Sequence, residues 1–140
     1  MRIVIDANRV IAALIKDSTT RQILLDLNFE FIAPDYILVE IYKNENRILN
    51  ASGITKDEFE ILLALIFEHI TIIPEIEYRK FLETIKNEIK DTMDLQYFAV
   101  CFARNAYGIW THDPDFMKQN KVKIFTNIDM LKLSGQVKSG

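Results

Sequence analysis

Residues 3–14 have the sequence IVIDANRVIAAL, and this stretch decides the class of fold. The β-branched run Ile3-Val4-Ile5 is typical of a buried strand. Asp6-Ala7-Asn8 ends the run, and apolar residues then recur at helical spacing over residues 10–14. The stretch therefore predicts a strand, a turn and a helix in direct succession.

The same alternation of strand and helix continues along the chain. Four later segments have the length and apolar character of strands, namely residues 29–33, 70–73, 109–111 and 122–125. Parallel strands need helical crossovers between them, and those crossovers cover both faces of the sheet. The pattern therefore predicts an α/β fold in three layers, α/β/α, around a parallel sheet.

Helix signals occupy the intervening segments. A cluster of N-cap residues at 18–20 begins a helix that we expect to reach Leu27, and Thr55 with Glu58 matches a capping box. Further helices are expected over residues 36–42, 55–68, 75–90 and 129–133, with another opened by residues 91–94, and Asp113-Pro114 is a helix start. We expect the charged residues 43–47 to end the third helix and Gly108 to end the helix before strand four.

The composition indicates one domain. The chain has 140 residues with only three prolines and four glycines, so we expect a folded domain over residues 1–134 and a polar tail over 135–140. The single cysteine, Cys101, excludes an intramolecular disulfide and favours a reducing compartment. The longest apolar run is far shorter than the roughly 20 residues of a membrane span, so we expect a soluble, cytoplasmic protein without membrane association.

The net charge of −3 is not typical of a nucleic-acid-binding protein, which usually carries a basic face. The distribution is more favourable, because five lysines after position 116 are opposed by a single acidic residue, Asp129. A polyanion could dock at this basic end of the chain.

Acidic residues follow the predicted strands at the positions where ligands bind in α/β proteins. Asp6 comes directly after strand one, and Asp113 with Asp115 comes directly after strand four. The crevice beyond the carboxyl ends of the strands is the usual ligand site in open α/β sheets. These carboxylates share one crevice if strands one and four are neighbours.

Two further carboxylates can lean over the same edge of the sheet. Glu40 lies in the second turn of the helix after strand two, and Asp94 in the first turn of the helix before strand four. Such a cluster of like charges requires cations or protonation, and an oxygen-only donor set suits Mg²⁺ or Mn²⁺. Metal ions in such a site serve phosphodiester hydrolysis, with Asn8 and Thr111 available to orient the carboxylates.

Helix capping is the competing explanation for several of these residues. Asp at a strand-to-helix turn is a common N-cap, and taken singly Asp6, Asp35, Asp91 and Asp129 are better explained in that way. Glu40 is harder to explain by capping, because it lies inside an apolar helical stretch.

Four short motifs in this order resemble those of the PIN-domain family. They are Asp6-Ala7-Asn8 after the first strand, Glu40 in the next unit, Asp94 before a helix with alanines, and Thr111-His112-Asp113 after strand four. The resemblance spans nearly the whole chain and extends to small single-domain nucleases such as VapC-type toxins.

The resemblance implies a five-stranded parallel sheet in which strands one and four are central neighbours. It also implies a ribonuclease dependent on Mg²⁺ or Mn²⁺, with Asp6, Glu40, Asp94 and Asp113 as catalytic metal ligands. A homodimer and a small antitoxin partner, as in toxin–antitoxin pairs, are implied by analogy only. Asp91 is an alternative to Asp94, and Asp115 is a candidate additional ligand.

Two alternatives to a nuclease follow from the same sequence. A receiver-like signalling domain would have an acidic pair after strand one and a lysine after strand five, and neither is present. A catalytically silent PIN-like scaffold that binds RNA or protein stays open, although all four expected carboxylates are in place.

Overall fold

The computed structural model describes residues 1–87, 89 and 95–139, and in this part of the chain five parallel strands form one sheet. The strands are β1 (Arg2–Ile5), β2 (Glu30–Pro34), β3 (Ile70–Ile73), β4 (Gly108–Trp110) and β5 (Ile124–Phe125). Their order is β3-β2-β1-β4-β5, with Val4 of β1 paired to Ile32 on one side and to Ile109 on the other. The predicted α/β class and the adjacency of strands one and four are therefore confirmed.

The described helices pack in two groups. They are α1 (Ala7–Leu14), α2 (Ser18–Leu24), α3 (Tyr36–Lys43), α4 (Glu45–Ser52), α5 (Lys56–Phe67), α6 (Glu75–Lys86), α7 (Leu95–Ala103) and α8 (Asn127–Ser139). Helix α1 contacts α2, α3, α4 and α5, whereas α7 contacts α6 and lies against β1, β2 and β4. No helix in the described ranges combines the length and apolar character needed to cross a membrane.

The central strand is buried on both faces. Ile3, Val4 and Ile5 are all fully buried, and successive side chains of a strand point to opposite faces. Helices must therefore cover both sides of β1, as in other parallel sheets. Cys101 of α7 is also buried in this core, and its burial raises the pKa of the thiol to about 12.

The charged residues 43–47 do not simply end the third helix. Helix α3 ends at Lys43, within the expected stretch, but a further helix that the sequence did not predict, α4, begins at Glu45. The reason is tertiary, because Ile48 of α4 is fully buried in the core. Gly53, with φ of 72°, then ends α4 in the left-handed conformation that glycine adopts without strain.

Gly108 is the first residue of β4 and does not end a helix. Helix α7 stops at Ala103, and Asn105 supplies the left-handed residue, with φ of 51°. A Cβ atom on Gly108 would lie 2.4 Å from the ring of Phe125 and 2.6 Å from the carbonyl oxygen of Lys123. Glycine is therefore required by the close approach of β5.

Three helix boundaries also differ from the expectation. Helix α2 follows Asp17, whose carboxylate accepts a hydrogen bond from the Thr20 amide (2.9 Å), and it ends at Leu24 instead of Leu27. Helix α6 ends at Lys86, before the expected residue 90. Helix α8 extends to Ser139 and so includes most residues that were expected to form a polar tail.

Candidate active site

Asp6 lies at the carboxyl edge of the sheet, directly after the central strand. Its backbone N–H donates to the Trp110 carbonyl (3.1 Å), which continues the pairing of β1 with β4. The Asp6 side chain is 5% exposed and makes no capping hydrogen bond, although Asp6 is the N-cap of α1. Capping therefore does not explain this carboxylate.

The hydroxyl of Thr111 connects the ends of β1 and β4. It donates to Oδ2 of Asp6 (2.7 Å), and its oxygen accepts hydrogen bonds from Nδ2 of Asn8 (3.0 Å) and from the backbone N–H of Asp113 (3.0 Å). Thr111 is fully buried. The two residues that the sequence suggested as supports, Asn8 and Thr111, thus belong to one hydrogen-bond chain that ends on Asp6.

Glu40 is held by a residue that the sequence reasoning missed. The phenol of Tyr97 on α7 donates to Oε1 of Glu40 on α3, at 2.5 Å, and Tyr97 is fully buried. The Tyr97 ring makes an edge contact with Phe116 (centroid separation 6.0 Å), which limits its movement. One signal was available in the sequence, because a tyrosine in the middle of an apolar helix needs a hydrogen-bond partner for its hydroxyl.

Three carboxylates interact electrostatically at this edge. Burial raises the pKa of Asp6 to about 7; the hydrogen bond from Thr111 opposes that rise, and the charges of Glu40 and Asp113 add to it. Burial also raises the pKa of Glu40. The hydrogen bond from Tyr97 and the charge of Lys43 oppose this rise, and the charge of Asp113 adds to it. Asp6, Glu40 and Asp113 are therefore close enough for their negative charges to disfavour one another.

Asp113 and Asp115 both take part in the turn after β4. Oδ1 of Asp113 accepts a hydrogen bond from the Asp115 amide (3.0 Å) and caps a 3₁₀ helix at Pro114–Lys118. Oδ1 of Asp115 lies 2.8 Å from Nζ of Lys118, and the Asp115 side chain is 43% exposed. Asp113 thus acts electrostatically on Asp6 and Glu40 while Asp115 is paired with a lysine.

The remaining acidic candidates divide into two groups. Asp94, the expected fourth carboxylate, and its alternative Asp91 lie outside the described residues. Asp35 accepts hydrogen bonds from the Tyr78 hydroxyl (2.7 Å) and the amide of residue 75, and Asp129 accepts one from the amide of residue 126. Asp35 therefore does not cap its own helix α3, although its carboxylate has structural partners on α6. Asp129 hydrogen-bonds the residue that precedes its own helix α8, as the capping explanation expects.

The donor atoms suit a hard cation, but the described residues do not complete its ligand set. The cluster offers only oxygen donors, and a divalent cation would offset both causes that raise the pKa of Asp6, namely burial of its charge and repulsion by Glu40 and Asp113. Among the residues that the structure describes, no three His, Cys, Asp or Glu side chains form a group that could hold a metal ion. The chemistry of the cluster thus fits Mg²⁺ or Mn²⁺, with at least one ligand still to be supplied.

Comparison with known proteins agrees with the fold. A family model described as "PIN domain" matches residues 4–129. The chain therefore belongs to the PIN-domain family, whose members are generally nucleases, that is, hydrolases of nucleic acids. No curated protein matches the sequence.

Proposed function

We propose that this protein is an endoribonuclease that hydrolyses RNA phosphodiester bonds with Mg²⁺ or Mn²⁺. One observation carries the proposal: the buried Asp6 carboxylate has a pKa raised to about 7 by burial and then by the neighbouring charges of Glu40 and Asp113. Burial and neighbouring like charges make an ionised carboxylate unfavourable in the folded state. Strongly shifted pKa values of this kind cluster at active sites. Membership of a nuclease family supports the same conclusion.

In this proposal Asp6, Glu40 and Asp113 hold the cation together with Asp94. When bound, the metal supplies charge neutralisation at the phosphodiester and activation of water for attack on phosphorus. Hydrolysis by this route leaves a 3′-hydroxyl and a 5′-phosphate.

The protein's own contribution is to hold each carboxylate in one orientation. Thr111 donates to one oxygen of Asp6, and Tyr97 donates to one oxygen of Glu40. Each carboxylate keeps its remaining lone pairs for a cation, and neither needs to reorganise when the substrate arrives. Asp115 is a candidate additional ligand, provided that its ion pair with Lys118 opens.

The partners follow from the family resemblance. VapC-type relatives suggest a homodimer and a small antitoxin protein that covers the acidic pocket, so a toxin role is part of the proposal. A genomic neighbour encoding a small DNA-binding protein would favour the toxin role over RNA processing.

The test is a calorimetric titration with Mn²⁺ followed by an RNA-cleavage assay. The unmodified protein is expected to bind Mn²⁺ and cleave RNA, and the Asp6→Asn/Asp113→Asn variant is expected to lose both while retaining its circular dichroism spectrum. Asp35→Asn is the matched control, because Asp35 follows a strand at the same edge but already has structural partners. Cleavage that continues in excess chelator would overturn the metal-dependent mechanism, and a folded protein that binds RNA without cutting it would favour the scaffold alternative.

A further inference from the structure

Arg9 is a buried cation next to the acidic cluster, and nothing in the proposed mechanism uses it. It lies on α1 and is 8% exposed, yet no carboxylate of the described residues forms an ion pair with it. Burial lowers the pKa of the guanidinium, and the charges of Asp17 and Asp6 oppose that shift. Burying an arginine in this way is costly unless its donors are well used.

The guanidinium is held by neutral acceptors from separate parts of the fold. Nη1 donates to Oγ1 of Thr20 on α2 and to Oδ1 of Asn127 at the start of α8, both at 3.4 Å. Asn127 is itself fixed, since its Oδ1 accepts from the Trp110 indole (2.9 Å) and its Nδ2 donates to Thr20 (3.1 Å). Its backbone N–H donates to Nε2 of His112 (3.0 Å). These contacts leave the guanidinium little freedom to move.

The third contact of Arg9 leads to the acidic site. Nε of Arg9 donates to Oδ1 of Asn8 (3.0 Å), and Nδ2 of Asn8 donates to Oγ1 of Thr111 (3.0 Å). The Thr111 hydroxyl then donates to Oδ2 of Asp6 (2.7 Å). A continuous chain of hydrogen bonds therefore runs from Arg9 to the buried carboxylate.

The direction of this chain depends on Arg9. A guanidinium can only donate, so the Asn8 amide must turn its oxygen toward Arg9 and its NH₂ group toward Thr111. Oγ1 of Thr111 then accepts from Asn8 and from the Asp113 amide, and its single hydrogen remains for Asp6. If the Asn8 amide turned over, its oxygen would compete with Asp6 for that hydrogen.

We propose that Arg9 is a positioning residue of the acidic site, which acts through Asn8 to direct the Thr111 hydroxyl hydrogen to Asp6. Its importance for metal binding rests on the proposed function, because it concerns a predicted ligand of the cation. Its effect on the orientation of the Asn8 amide does not depend on any metal.

The first experiment is NMR of the metal-free protein, observing the side-chain amide protons of Asn8. In the unmodified protein we expect two well-separated resonances, with the hydrogen-bonded proton shifted downfield and protected from exchange. In Arg9→Met, which keeps an unbranched apolar stem but removes the donors, we expect the separation and the protection to decrease. Unchanged Asn8 resonances in the folded variant would overturn the proposal. Arg9→Leu, which also has no donor, replaces Arg9→Met if the latter does not fold, with the same expectation.

The second experiment is a double-mutant cycle on Mn²⁺ affinity. Arg9→Met is expected to weaken Mn²⁺ binding by about tenfold, as is typical when a residue that orients a metal ligand is lost. In an Asn8→Ala background the same substitution is expected to have no further effect, because the two residues act in series. Equal losses in both backgrounds would overturn the proposal in favour of a general structural role.

Arg21→Met is the matched control. Arg21 lies on α2 and is partly buried. Its Nε donates to the carbonyl of Ala13 in α1, the helix that carries Arg9 (2.6 Å), and it has no link to Asn8. We expect it to lower the melting temperature and leave the Mn²⁺ affinity unchanged. Absence of Mn²⁺ binding to the unmodified protein would overturn the proposed function, and the Asn8 resonances alone would then decide the role of Arg9.

Discussion

Replacing Asp6 by asparagine is expected to stabilise the metal-free protein at neutral and alkaline pH. The substitution removes the charge of a carboxylate that is 5% exposed, and it keeps an oxygen that can accept the hydrogen bond from Thr111. The Asp6 carboxylate, as a proposed metal ligand, is thus expected to reduce the stability of the folded protein when no cation is bound.

The magnitude follows from the pKa of Asp6. This pKa rises from 3.8 to about 7 on folding, primarily because of burial. Each unit corresponds to about 1.4 kcal/mol, so the ionised carboxylate costs the folded state at most about 4 kcal/mol. Part of this gain is offset by the new NH₂ group of asparagine. If that group finds no hydrogen-bond acceptor, its burial costs about 1–3 kcal/mol. We therefore expect a net gain of about 2 kcal/mol in the free energy of unfolding.

The pH dependence has a defined sign. Below pH 3.8 Asp6 is protonated in both the folded and unfolded states, and the carboxylate costs nothing. Between pH 3.8 and about 7 the folded state retains a proton that the unfolded state has lost, so stability falls as the pH rises. The advantage of Asp6→Asn should accordingly be absent near pH 4, grow through this range and level off above pH 7.

Urea denaturation in excess chelator at pH 4, 6 and 8 measures this difference. Asp17→Asn is the control of opposite sign, because the backbone amide of Thr20 lowers the pKa of Asp17 and ionisation there stabilises the fold. With saturating Mn²⁺ the order of stability should reverse, since only the unmodified protein gains the free energy of metal binding. A folded Asp6→Asn protein that is no more stable than the unmodified one at pH 8, with no trend between pH 4 and 8, would refute the reasoning.

Two further predictions concern single side chains. Tyr97→Phe keeps the packing of the ring but removes the donor to Glu40, so calorimetry should show Mn²⁺ affinity weakened by about tenfold; an unchanged affinity would mean that Glu40 needs no orientation. Gly108→Ala should lower the free energy of unfolding by about 1–3 kcal/mol through overpacking against Phe125 and the Lys123 carbonyl. An unchanged urea midpoint for that variant would show that β5 can move away at no cost.

Local sequence signals predicted the elements well where the elements depend on local interactions. Strand three was expected over residues 70–73 and is found there, and the capping box of Thr55 and Glu58 is present with both hydrogen bonds. These features need only residues within a few positions of each other. Helix α4 was missed because its stability comes from the burial of Ile48 by distant parts of the chain.

The candidate site was only partly accessible to sequence reasoning. The rule that ligands bind beyond the carboxyl ends of parallel strands identified Asp6 and Asp113, because it depends only on position relative to a strand. The order of the strands came from the family resemblance and not from the pattern. Tyr97 and Arg9 were not assigned a role, since an apolar helix with one tyrosine and a lone arginine are ordinary features of a folded domain.

The sequence by itself therefore determined the α/β class, the family and the edge of the sheet at which the acidic residues gather. Periodicity, capping signals and the position of an aspartate after a strand all act over a few residues, which makes them visible in one dimension. The tertiary structure alone decided that Thr111 donates to Asp6, 105 positions away, and that Tyr97 donates to Glu40, 57 positions away. Such hydrogen bonds form because packing of the sheet and helices brings distant residues together and excludes water, and no local pattern encodes that proximity.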